Sequence, residues 1–267
     1  KTVPTGSKSF QCTMDEDLLS KQQINDLYKS GNSFSKSKAA DFSKSSDKKY
    51  RTMRLAMSVT AEYTTYFGGV TGALTAINAS LTRVNGVFEK DFGLHLNLQN
   101  YPALIYTNAA TDPYSPAATG SAGAWNNELQ QTLTAVVGNA NYDIGHLFGA
   151  SGGGGNAGCI GCVCISPTGT TNNAKGSGYT SPADGIPQGD NFDIDYVAHE
   201  MGHQLGANHT FSHGLESAGT NMEPGSGSTI MGYAGITGTN TDVQAHSDPY
   251  FHAISISQVQ TNLTSKT

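Results

Sequence analysis

His199-Glu200-Met201-Gly202-His203-Gln204-Leu205-Gly206-Ala207-Asn208-His209 is the stretch on which the reading of this chain turns. It has the form H-E-x-x-H-x-x-G-x-x-H, and each fixed position has its own physical task. Residues four apart lie on one face of a helix, so His199 and His203 present two imidazoles to one metal ion. Glu200 reaches a water activated by that metal without taking a ligand position. Gly206 permits a positive φ, which stops the helix and turns the chain back so that His209 supplies a third nitrogen. Three protein ligands and one open position form the plan of a catalytic zinc site, because structural sites fill all four. By chance the five fixed letters coincide in a chain of this length about once in 10⁵ sequences.

On these residues the chain resembles the metzincin superfamily of zinc endopeptidases. Ser228-Thr229-Ile230-Met231-Gly232-Tyr233, inside the Gly/Ser/Thr-rich run 225–238, is similar to the Met-turn of that family. There the methionine packs beneath the ligand imidazoles as a soft floor. Tyr233 matches the Met-x-Tyr of astacins and serralysins. The resemblance implies a phenol that ligates zinc or stabilises the oxyanion of the transition state; a wall of the substrate pocket is the alternative. Thr210 stands where an astacin has Glu and an adamalysin has Asp, so the subfamily stays open. Residues 142–148 followed by 157–159 resemble the strand and edge-strand region of reprolysin-like enzymes. Residues 248–252 resemble the approach to their last helix. The resemblance implies a secreted bacterial enzyme of the astacin/adamalysin clan.

Composition fits that setting. The 267 residues suffice for one core, or for two lobes around a cleft. Only 13 % are charged, and 32 are glycine, as suits an exported enzyme with long surface loops. No apolar run approaches twenty residues, so no membrane span is expected. The chain begins at Lys1, and a removed signal peptide is the expectation. Residues 1–54 hold eleven of the fifteen Lys/Arg and six of the twenty-one Asp/Glu, a net of +5, which leaves −11 for the rest. So acidic a domain disfavours nucleic acid and anionic membranes as partners and makes the basic N-terminal segment a natural intramolecular one. The Lys/Ser tract 30–49 taken alone reads as a solvated linker.

Cys12 lies in that segment, directly before the capping box Thr13-Met14-Asp15-Glu16 and a short helix with Leu18, Leu19, Ile24 and Leu27 as its apolar residues. Some metzincin zymogens keep a propeptide cysteine on the zinc. The resemblance therefore implies residues 1–38 as an inhibitory propeptide with Cys12 as fourth ligand, and 39–267 as the catalytic domain. The propeptide boundary falls between 36 and 49. Lys36, Lys38, Lys44, Lys48 and Lys49 offer cleavage sites to an activating protease of basic specificity. The other cysteines, Cys159, Cys162 and Cys164, crowd into six residues. A disulfide from Cys12 to one of them, or a four-cysteine structural zinc site, stands beside the zinc-switch reading.

Periodicity places the remaining parts. Residues 54–60 begin like a strand, 70–90 carry helical apolar spacing, and 94–98 alternate as a half-solvated strand. Residues 124–137 read as a helix with Trp125 packed on the sheet, and 143–148 as a strand. Residues 151–155 read as loop, 157–165 as the edge strand, and 192–206 as the motif helix begun near Asp190 or Asn191. His95, His146, His213, His246 and His252 lack ligand spacing to the motif and read as structural or surface residues. Asp184, Asp190, Asp193 and Asp195 offer oxygens for calcium, or else serve as solvated or capping groups. The implied fold class is α+β: a metzincin two-lobe fold, with a twisted mixed sheet and helices above, the zinc helix at the cleft, and a loop-rich lower lobe from 207 to 267. The expected activity is hydrolysis of protein and peptide substrates, extracellular matrix such as elastin included, with one Zn²⁺ per chain and Glu200 as general base in a monomer. The alternatives are a zinc-containing adhesion module without turnover and a protease restricted to one partner protein.

Overall fold

Strand β1, Arg51–Val59, enters from the surface with alternating exposure and ends buried on both faces. That pattern belongs to the centre of a parallel sheet covered on two sides. The computed structural model describes residues 48–216 and 218–266. Cys12, the 13–16 capping box, the helix expected after it and the propeptide 1–38 lie outside the described residues.

After β1 the chain makes a short helix α1, Ala61–Tyr66, whose N-cap Thr60 accepts from the Tyr63 amide. Helix α2, Val70–Phe92, then crosses over to β2, Leu94–Leu98. It buries Ala73, Ile77, Leu81, Val84 and Phe88, a stripe three to four residues apart that faces the sheet. Gly93 at φ 63° ends the helix and lets the chain reverse directly into β2. Helix α3, Trp125–Val136, precedes β3, Ile144–Phe148, and the sheet is completed by β4, Gly154–Asn156, and β5, Gly178–Ser181. The strand order is β2-β1-β3-β5-β4. The first four are parallel, with Leu55 opposite both Leu98 and Ile144 and His146 opposite Gly178; β4 runs antiparallel at the edge, with Gly155 opposite Thr180.

Two cores sandwich this sheet. One joins β1 and β3 to α2, to the motif helix and to the last helix α5, Ala253–Thr264. The other gathers Leu104, Trp125, Leu129, Leu133 and Tyr142 around Leu147 and Tyr179, with the Trp125 ring edge-on to Tyr179 at 5.0 Å. Between Gly206 and α5 the described residues form turns and irregular chain, with one isolated bridge from Phe211 to Glu223. Phe251 returns it to the upper elements, its ring 4.5 Å from that of Phe92. The fold is α+β.

The edge of the sheet differs from the expectation. Residues 157–165 are turns, and the edge strand is Gly154–Asn156, within and just beyond the glycine run read as loop. Gly158 and Gly161 sit at φ 72° and 71°, Cys164 at φ 66°, and Cys159 is bonded to Cys162. The bonded cysteines enclose only two residues and their Cα atoms are 5.8 Å apart, well short of the roughly 10 Å that three extended residues span, so this segment cannot stay extended. Strand β5 went unread because Gly-Tyr-Thr-Ser lacks alternation: it is buried on both faces.

The motif helix opens with wide, π-type turns over Asn191–Ala198 and tightens into α4, His199–Leu205, every residue of which is buried. Gly206, at φ 118°, ends it, and the Gly206 and Ala207 amides both return to the Gly202 carbonyl at 3.1 and 3.0 Å. A Cβ at 206 would meet the Asn262 Cβ of α5 at 3.1 Å. Gly206→Ala is therefore expected to cost about 1–3 kcal/mol of stability, read from denaturant unfolding, through backbone strain in a region closed to L side chains.

Candidate metal centre

The left-handed turn at Gly206 aims His209 back at α4, and the three motif imidazoles converge. His203 Nε2 lies 3.0 Å from His209 Nε2, and His199 Nε2 lies 3.3 Å from it. One ligand atom from each residue falls within 4.8 Å of the others, and all three residues are buried. The opposite ring nitrogens fix the tautomers. His199 Nδ1 is 2.6 Å from the Ile230 carbonyl and His203 Nδ1 is 2.7 Å from that of Ala207. His209 Nδ1 is 2.9 and 3.1 Å from the two oxygens of Glu216. Carbonyls and carboxylates only accept, so each Nδ1 carries the proton and each Nε2 presents a lone pair to the centre.

Burial, then the neighbouring imidazoles, push His199 and His203 well below the usual histidine range. Burial and then His213 push His209 down to about 3. Neutral imidazoles with three converging lone pairs repel one another and suit a borderline-soft cation; the donor set fits zinc.

Met231 is fully buried against the motif helix. Its Sδ would lie 2.8 Å from a Cβ at Gly202, so the thioether presses on the helix directly before His203. Ile230, just before it, supplies the carbonyl that orients His199. The Tyr233 ring stands 4.6 Å from that of His209, 5.8 Å from that of His199 and 4.4 Å from that of Phe211. Glu200 is fully buried against the sheet edge, where a Cβ at Gly155 would come within 2.3 Å of its Oε1.

The remaining histidines have other surroundings. His146 is buried on β3, held by Gln204 Oε1 at 2.7 Å and the Thr180 hydroxyl at 2.8 Å, and burial keeps it neutral with a pKa of about 4. His246 pairs with Asp195 at 2.7 Å, His252 caps α5, and His95 pairs with Glu89 on the surface. His213 packs beside Phe211 on the exposed side of the centre. The carboxylates considered for calcium have partners within the chain. Arg83 holds Asp190 through two bonds, and Asp184 accepts from Asn191 and the Ile186 amide.

Two acids were missed by the sequence reading. Glu216 backs the third histidine. Glu223 accepts from the Thr210 hydroxyl, from the Thr229 hydroxyl at 2.5 Å and from the Ser228 and Thr229 amides at 2.9 and 3.0 Å. Between His209 and Asp242 they are the only acidic residues, and that scarcity was the available signal.

A mixed sheet with three imidazoles gathered under its edge is the framework of a metallopeptidase. A family model described as metallopeptidase family M12B, reprolysin-like, matches residues 49–263, and the chain belongs to that family. It is thus an enzyme, a zinc metalloendopeptidase of metzincin type. A search for similar curated proteins found no match.

The contact between β4 and Glu200 is testable. Gly155→Ala must displace the carboxylate, and a shift near 1 Å is expected to lower kcat by roughly 10²-fold. Zinc content by metal analysis should stay at the parent's value.

Proposed function

We propose that the chain is a secreted endopeptidase that cuts extracellular proteins, with one zinc ion on His199, His203 and His209 and with Glu200 as general base. The observation that carries this reading is the convergence of three unprotonated ring nitrogens next to a buried Glu200. Zinc held there would lower the pKa of a water and polarise the scissile carbonyl. Glu200 takes the proton of the attacking water and returns it to the leaving amine. Its burial between α4 and β4 keeps bulk water from competing for that proton. An extended substrate pairs antiparallel with β4, where main-chain groups satisfy one another and hold the scissile bond in place. Tyr233, beside the third ligand, donates to the oxyanion.

Matrix proteins such as elastin are the proposed substrates, and the enzyme acts as a monomer. The Cys159–Cys162 disulfide supports an oxidising, extracellular setting. Among the described residues no helix is long and apolar enough to cross a membrane. In the precursor, residues 1–38 close the site with Cys12 as fourth ligand until a protease of basic specificity cuts among Lys36, Lys38, Lys44, Lys48 and Lys49. The local disulfide supports this by taking two sulfurs out of a four-cysteine zinc site and out of any bond to Cys12. Cys164 is the remaining thiol, and a Cys12–Cys164 disulfide is the rival arrangement.

Casein digestion is expected to stop with a chelator and return with zinc. Glu200→Ala should lower kcat roughly 10²–10⁴-fold with zinc content unchanged; turnover near the parent's rate would falsify the assignment. Cys12→Ser should give a precursor that digests casein before cleavage. A precursor of that variant that stays silent removes the switch.

A further inference from the structure

We infer that Glu216 is a positioning residue whose negative charge sets how tightly His209 holds the metal; this rests on the reading that the three histidines bind zinc. The first two ligands are oriented by main-chain carbonyls, Ile230 from the Met-turn and Ala207 from the turn just past α4. Those acceptors are fixed by the fold and carry no net charge. His209 differs on both counts. It follows the helix-ending glycine, belongs to no helix or strand, and its Nδ1 faces a carboxylate seven residues downstream.

Both Glu216 oxygens lie within 3.1 Å of that nitrogen, so the Nδ1–H cannot turn away without losing two acceptors. An ionised acceptor draws the Nδ1 proton more strongly than a carbonyl and leaves more electron density on Nε2, which makes His209 the strongest donor of the three. The geometry also places this control at the surface. The His209 side chain is 2 % exposed, whereas that of Glu216 is 31 % exposed and reaches in from the loop that begins after Phe211. Retention of the metal is therefore coupled to the conformation of a solvent-facing loop, while the anchors of His199 and His203 are buried.

The test uses the full chain, with Glu216→Gln and Glu216→Ala beside the parent. Zinc affinity is measured by competition with a chromophoric chelator, and the visible ligand-field bands are recorded after cobalt substitution. Glu216→Ala is expected to weaken zinc binding about 10–100-fold. Glu216→Gln keeps an acceptor but loses the charge, so it should fall between the two and shift the cobalt bands. Unfolding of the metal-free forms should be alike for all three. Glu216→Gln binding zinc as tightly as the parent, or a metal-free midpoint that drops along with affinity, overturns the inference and leaves the three-histidine site standing. A parent that holds no zinc overturns the site itself, and this inference with it.

Discussion

Three imidazole lone pairs pointed at one buried spot are mutually repulsive, and the surrounding structure is arranged to hold them there. Each ring keeps its proton on the far nitrogen only because an acceptor waits on that side. The acceptors come from three separate places: the turn just past Gly206, the Met-turn, and the Glu216 loop. The irregular stretch between Gly206 and α5 thus has a structural purpose that its turns conceal. It carries all three acceptors, and its end is fastened to α2 by Phe251 against Phe92, while Asn262 of α5 donates to the Leu205 carbonyl at 2.8 Å.

That arrangement needs the motif helix to lie very close to its neighbours, and glycine makes the approach possible. Added Cβ atoms would collide at Gly155 with Glu200, at Gly178 with Gln204 and at Gly202 with Met231. Two of these glycines are on the sheet and one is on the helix, so α4 is tightly packed on both sides. The contact at Gly178 leaves Gln204 room to bridge His146 Nδ1 and the Gly145 carbonyl at 2.7 and 2.9 Å. That polar link satisfies a histidine at the centre of the sheet. The high glycine content has a packing role as well as a place in surface loops.

These facts also explain which parts of the molecule were legible in sequence. The motif, α2 and β1 are short-range patterns, and a helix period or a spacing of four contains them whole. The edge strand could not be read because Gly154 and Gly155 contribute no side chains to alternate, while the more apolar 157–165 mimicked a strand until its disulfide and left-handed glycines were in view. Glu216 and Glu223 were missed for another reason. Their partners are fixed by the path of loops, and nothing in their spacing from His209 encodes that path. Thr210 gave a partial hint, since a hydroxyl in place of the acid found in related subfamilies leaves a role to be filled.

Glu223 accepts the hydroxyl of Thr210, and the consequence reaches the metal centre. A buried carboxylate is costly without compensation. Burial alone would push Glu223 up, yet the Thr210 and Thr229 hydroxyls and the Ser228 and Thr229 amides outweigh that and hold it below its ordinary range. The ionised form is the one the site is built around. Through these bonds one charge ties the residue after the third ligand to the two residues that lead into Ile230 and Met231. Backbone bonds reinforce the tie, since the Glu223 amide donates to the Thr210 carbonyl at 2.8 Å and the Thr210 amide to that of Met231 at 3.1 Å. The Met-turn cannot move without moving His209 and, through the Ile230 carbonyl, His199. In this chain the link between third ligand and Met-turn is therefore an assembled contact between distant residues, where an acid directly after the histidine would have made it local.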